Sequence, residues 1–160
     1  MKILGVDPGY GLLGYGVIEK SGRNVTCVGY GAISTEKNLK LGERLKVIYK
    51  AFKEVLKQYE PDIAAVEKIY FVKSVTTALE VGHARGVILL ALEQMEIPVV
   101  ECSPQKVKIA VTGYGRAEKR QVQEMIRRLL GLKELPKPDD AADALAIAWC
   151  ALSAGEGEAL

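Results

Sequence analysis

Between Leu41 and Tyr59 the apolar residues Leu41, Leu45, Val47, Ile48, Tyr49, Phe52, Val55, Leu56 and Tyr59 recur mostly every three or four positions. That is the period of an amphipathic helix with one buried stripe. The chain ahead of it reads differently. Residues 2–6, 15–19 and 25–33 are short apolar runs separated by Gly9, Gly11, Gly14 and Ser21-Gly22, and connections this short favour an antiparallel meander. After the helix, Pro61 closes the turn and residues 62–67 form a short apolar segment ending in an acid. It is predicted to be a buried strand, parallel to the first because a helix connects the two.

A second long helix is predicted from an N-cap at Ser74 to about Met95. Gly82 and Gly86 within it would weaken an isolated helix, and their spacing of four suggests close approach of another backbone, either the sheet or a second chain. Residues 97–101 are strand-like. Ser103-Pro104 is a cap followed by an N1 proline, the start of a short helix ending near Gly113. A further helix spans about residues 117–130 and stops on Gly131, and Pro136-Lys137-Pro138 makes a stiff connector. Residues 139–153 are apolar nearly all round, with acids only in the first turn, so this last helix must be packed against something. Without repeats, low-complexity stretches or interior linkers, residues 1–153 are expected to form one domain, with 154–160 a frayed tail. The element order predicts an α/β, ribonuclease-H-like domain: a mixed five-stranded sheet flanked by helices.

Composition narrows the choice of function. A chain of 160 residues is one ordinary domain, and 49% hydrophobic with 26% charged residues excludes a disordered or coiled-coil protein. The longest apolar stretches, such as residues 86–92, fall short of a bilayer span, and the first residues lack a signal-peptide core. A soluble cytoplasmic protein with no membrane association is the expectation. Cys27, Cys102 and Cys150 are scattered without a C-x-x-C, which supports neither a disulfide framework nor a zinc ribbon. The net charge of +2 says nothing about partners, but its distribution does. Residues 103–134 carry eight basic side chains against three acids, whereas residues 139–160 carry five acids and no base. A basic surface beside an acidic cluster suits a protein that holds a polyanion while positioning a divalent metal, although solvated lysine-rich helix faces give the same count.

Four acids stand out by position. Asp7 follows an apolar strand and precedes Pro8-Gly9, where a strand end presents a side chain into open space; an Asp opening an ordinary turn looks the same. Glu67 closes a later apolar strand, and a buried carboxylate there needs compensation. Asp140 and Asp143 lie three apart in the first turn of the last helix, so both face one way, although acids also favour any helix N-terminus. If the two strands are neighbours and the last helix packs on them, four carboxylates converge with no lysine or histidine of similar placement to neutralise them. Metal is the simplest compensation, and oxygen-only ligation suits Mg²⁺, with Mn²⁺ as a substitute. Two such ions about 4 Å apart would activate water and stabilise a leaving 3′-oxygen during phosphodiester hydrolysis. A phosphate-binding turn of an ATPase is the competing idea for residues 7–11. The motif occurs once, and the chain is too short for a two-lobed nucleotide clamp.

Five motifs then fall in order: Val6-Asp7-Pro8-Gly9 with Gly14-Tyr15-Gly16-Val17; Val66-Glu67; Gly82-His83-Ala84-Arg85-Gly86; Gly113-Tyr114-Gly115-Arg116-Ala117-Glu118-Lys119; and Asp140-Ala141-Ala142-Asp143-Ala144-Leu145-Ala146. Over nearly the whole chain this set resembles the RuvC family of crossover-junction endodeoxyribonucleases. The resemblance implies a homodimer that resolves Holliday junctions by paired symmetric, Mg²⁺-dependent nicks, with two ions per site, alongside a RuvA–RuvB branch-migration complex. It also implies that Asp7, Glu67, Asp140 and Asp143 are the catalytic metal ligands and that Lys108 and Lys119 lie beside the scissile strand. The D-A-A-D spacing selects Asp140 over the neighbouring Asp139.

Around this set, Tyr70, Phe71, Lys73, Arg116 and Arg120 are predicted DNA contacts. Tyr70 and Phe71 could stack on unpaired bases or could staple the following helix; which of them enters a junction is left open. His83, the sole histidine, is expected to pack or face DNA rather than bind metal. A catalytically idle junction-binding module and an RNA-processing nuclease on the same fold are the alternatives.

Overall fold

The computed structural model describes residues 1–69 and 75–154. Its elements run β1 (Lys2–Asp7), β2 (Leu12–Ser21), β3 (Asn24–Ser34), α1 (Leu41–Tyr59), β4 (Ile63–Glu67), α2 (Val75–Glu93), β5 (Val99–Cys102), α3 (Pro104–Thr112), α4 (Lys119–Leu129) and α5 (Asp139–Ala154). The five strands form one sheet in the order β3-β2-β1-β4-β5. β1, β2 and β3 pair antiparallel, while β4 and β5 extend the sheet parallel to β1. The mixed sheet follows from the connections: short turns in the first third, helical crossovers afterwards.

Alternation along the strands gives the sheet two apolar faces. Leu4, Val6, Ala64 and Val66 point to one face and pack with Ile48, Phe52 and Leu56 of α1 and with Ala84, Ile88 and Leu92 of α2. Ile3, Ala65, Val100 and Cys102 point to the other, beneath α3, α4 and α5. Helix α5 is buried on nearly all sides, as its apolar sequence requires. It approaches the sheet with its backbone, and three strand glycines make room for it. A Cβ on Gly5 would lie 2.6 Å from the Ala148 nitrogen, one on Gly16 2.6 Å from Leu145 Cγ, and one on Gly14 2.8 Å from Asp140 Cβ. The first turn of α5 is thereby set against the ends of β1 and β2.

Several boundaries differ from the sequence reading. β2 and β3 run past the apolar segments into Lys20, Ser21 and Asn24, because the hairpin continues as a polar ribbon to Gly22 at φ 60°. β5 starts at Val99, since residues 96 and 97 finish the turn after α2: Glu96 sits at φ 55° and the Ile97 amide donates to Leu92 O at 3.1 Å. Ser103 does cap α3, its hydroxyl accepting from the Lys106 amide at 3.2 Å, and Gly113 ends that helix at φ 75°. The proposed cap Ser74 lies outside the described residues. Helix α2 is long and apolar enough, by length and composition alone, to cross a membrane, which a count limited to residues 86–92 missed. Here one side of it is buried on the sheet and on α1.

Candidate active site

Two of the four acids are neighbours by strand pairing. Val6 on β1 lies beside Val66 on β4, so the next residues, Asp7 and Glu67, end adjacent parallel strands at the same edge of the sheet. Asp7 is also paired across β2 with Gly14, the glycine against which the Asp140 backbone packs. One turn further along α5, Asp143 joins Asp7 and Glu67 in lining a cleft of about 200 Å³, together with Lys108 of α3 and Lys119 of α4. Val107, Val122 and Ile147 contribute its apolar walls.

The charges in this cleft are strained. Burial first, then the like charges of Glu67, Asp143 and Asp140, push the Asp7 carboxyl from an ordinary 3.8 up to about 7, with Lys119 pulling weakly the other way. Burial, followed by Asp143, also raises Glu67. All four acids therefore share one electrostatic neighbourhood, although Asp140 does not line the cleft.

Two features differ from the sequence expectation. The acids do have a neutralising lysine: Lys119 Nζ lies 2.7 Å from Asp143 Oδ2, and this contact holds the ammonium in its charged form. The two groups come from α4 and α5, so no local spacing announced the pair. As they stand, no three His, Cys, Asp or Glu side chains among the described residues are grouped tightly enough to hold one ion. The donor chemistry nonetheless fits a hard divalent cation. Every acid here offers oxygen, burial and then neighbouring carboxylates raise the proton affinity of Asp7 and Glu67, and Asp143 already recruits an ammonium where a cation would sit.

Sequence reasoning missed Gln123. This buried α4 residue donates from Nε2 to Asp143 Oδ1 at 3.2 Å, so Lys119 and Gln123, one helical turn apart, orient the two oxygens of a single carboxylate. The available signal was a polar side chain between Val122 and Ile126 on the apolar face of α4. Gln123→Leu keeps the volume and removes the donor. We expect any single-turnover reaction in this cleft to slow about tenfold, with a melting temperature close to that of the parent, because misorienting a group in a site costs rate before it costs stability. An unchanged rate would show that Lys119 alone positions Asp143.

Of the predicted DNA contacts, Lys108 and Lys119 reach the cleft, and Arg116 and Arg120 are exposed at the α3–α4 corner beside it. Tyr70, Phe71 and Lys73 lie outside the described residues. His83 is exposed on α2.

The family described as "Crossover junction endodeoxyribonuclease RuvC" matches residues 3–151. Crossover junction endodeoxyribonuclease RuvC of Thermosipho melanesiensis is 55% identical over 150 residues, covering 94% of this chain and 96% of that protein. The Thermotoga petrophila protein of the same name is 58% identical over 150 residues, covering 94% and 91%. Among solved structures, Thermus thermophilus RuvC in complex with Holliday junction substrate superposes with a TM-score of 0.93 at 35% identity, covering 100% of this chain and 99% of that one. The α/β, ribonuclease-H-like reading of the sheet and its helices stands on that superposition.

Proposed function

The chain belongs to the RuvC family of crossover junction endodeoxyribonucleases, and on that premise we propose that it resolves Holliday junctions by paired symmetric nicks in recombination and repair. The observation that carries this reading is the cleft in which Asp7, Glu67 and Asp143 meet beside Lys108 and Lys119. Asp7, Glu67, Asp140 and Asp143 are the residues that would hold Mg²⁺, with Mn²⁺ as a substitute and two ions per site. When bound, such ions make water nucleophilic on one side of a phosphodiester and stabilise the leaving 3′-oxygen on the other.

The protein's own groups do the rest. Lys108, facing the cleft without an acid at hydrogen-bonding distance among the described residues, attracts the backbone phosphate. Lys119 balances the charge of Asp143 and Gln123 orients its other oxygen; with a cation bound, Lys119 would be free to meet the phosphate while Gln123 would still hold the carboxylate in place. Arg116 and Arg120 extend the basic surface along the strand. Tyr70, Phe71 and Lys73 complete the proposed DNA-contacting set, with an aromatic stacking on a base at the crossover.

A junction with two-fold symmetry calls for a two-fold dimer. Helix α2 offers the face for it. Val75, Leu79 and Leu90 are 76%, 60% and 53% exposed. Among the described residues, nothing beyond the neighbouring backbone of α2 itself lies within 4 Å of where a Cβ on Gly82 or Gly86 would stand. The two glycines are thus not there to admit the sheet, and their close approach is left for the second copy. Gly82→Leu, whose Cβ meets no other element among the described residues, should give a folded monomer by sedimentation; a persistent dimer would remove α2 from the interface. Cytoplasmic location and cooperation with a RuvA–RuvB complex are carried over from the family resemblance.

The test is cleavage of a four-way DNA junction in Mg²⁺, beside a structured RNA. Paired cuts in the DNA support the reading. Binding without cutting would favour an idle module, for which the retained acids give no support, and preferential RNA cutting would favour the RNA-processing alternative.

A further inference from the structure

On the α1–α2 side of the sheet, an ion-pair network stands apart from the cleft. Glu101 on β5 lies in register with Val66, one residue before the position beside Glu67. Its strand neighbours Val100 and Cys102 belong to the α5-side core, so its own side chain leaves on the opposite face, where Arg85 of α2 meets it. Arg85 Nη2 pairs with Glu101 Oε1, and Lys68 Nζ lies 3.5 Å from Glu101 Oε2. Lys68 directly follows Glu67, and its amide extends the sheet by donating to Cys102 O at 2.9 Å.

The network is poorly explained as a source of stability. Arg85 and Glu101 are only 20% and 16% exposed, burial lowers the Arg85 pKa, and Arg85 Nε is buried with no hydrogen-bond partner among the described residues. Buried ion pairs commonly gain no more than apolar residues of the same volume would, so what such a pair does supply is a fixed relative placement. The elements it fixes are informative. Arg85 sits between Gly82 and Gly86 on α2, whose outer face is open, while Lys68 begins the segment that leaves the catalytic strand end.

We infer that Arg85 and Glu101 are positioning residues that lock α2 to the ends of β4 and β5, so that the dimer face of α2 and the Glu67 carboxylate are held in one rigid relation. The inference rests on the junction-nuclease reading above. Neither residue touches the cleft; each acts through Lys68 and the strand end.

The experiment compares the parent, Glu101→Gln, and the double variant Arg85→Met with Glu101→Met, all as full chains. Single-turnover cleavage of a four-way junction at saturating protein is measured beside junction affinity, sedimentation and thermal melting. Glu101→Gln should cleave about 10- to 100-fold more slowly, the range for a reacting group displaced by up to about 1 Å, with affinity within about twofold of the parent and the dimer intact. The double variant, which refills the site with apolar volume, should melt near the parent and still cleave slowly. A stable double variant cutting at the parental rate would overturn the inference, since the pair would then be structural alone. Should Glu101→Gln fail to fold, the double variant decides the matter by itself. A parent that cuts no junction would overturn the nuclease reading and this inference together, and is recognised because the unaltered protein is itself inactive.

Discussion

Asp7→Asn should lose junction cleavage by on the order of 10³–10⁴-fold while binding the junction as well as the parent. The substitution keeps the shape of the side chain at the end of β1 and removes the charge that a cation needs. Asp7 touches more of the site than any other acid: it ends the central strand, adjoins Glu67, faces Gly14 across the hairpin and feels all three other carboxylates. The basic groups proposed to hold the junction, Lys108, Arg116, Lys119 and Arg120, are left in place by the change. Gel-shift and cleavage assays on the same four-way substrate separate the two effects. Cleavage retained within about tenfold of the parent would remove Asp7 from the catalytic set.

The same substitution should stabilise the protein when no divalent cation is present. The Asp7 carboxyl titrates at 3.8 in its ordinary state and at about 7 in the fold. A raised pKa means that the folded state binds the proton more tightly, so stability is fully present below pH 3.8 and is lost as the pH climbs to about 7. A rise of about three units corresponds to about 4 kcal/mol, the full penalty being reached above pH 7. Asn carries no such penalty. In chelator, urea unfolding at pH 8 should show Asp7→Asn more stable than the parent by up to about 4 kcal/mol, a gap that closes towards pH 4. Adding Mg²⁺ should stabilise the parent and not the variant. A variant less stable than the parent at pH 8 would mean that the carboxylate is paid for by contacts other than those described above.

These two predictions start from residues that the sequence already exposed, and the reason is local. Asp7 and Glu67 each end a recognisable apolar strand, and Asp140 and Asp143 open a helix that is otherwise apolar. The meander, the helical crossovers and the parallel pairing of β1 with β4 followed from run lengths and loop lengths. What escaped was whatever depends on two distant elements meeting. Lys119 looked like a surface base for DNA, and only the packing of α4 on α5 places its ammonium on Asp143. Gln123 looked like one more polar helix residue until that same packing buried it. The Arg85–Glu101 pair joins α2 to β5, and neither residue carries a mark of its partner in its own segment.

Glycines show the same limit in two directions. Gly14 read as turn punctuation, yet with Gly5 and Gly16 it is the seat on which α5 lies. Gly82 and Gly86 allowed either the sheet or a second chain as neighbour, and the fold excludes the sheet. A period in the sequence tells which face of an element is apolar; it does not tell what stands opposite.

On the reading proposed above, the cleft between β1, β4 and α5 receives a divalent cation. Anomalous diffraction from crystals soaked in Mn²⁺ tests it most directly. A peak is expected about 2.0–2.2 Å from an Asp7 oxygen and from an oxygen of Glu67 or Asp143, with the Lys119 ammonium moved off Asp143. A structure with Mn²⁺ bound elsewhere and this cleft still closed by the Lys119–Asp143 pair would contradict it.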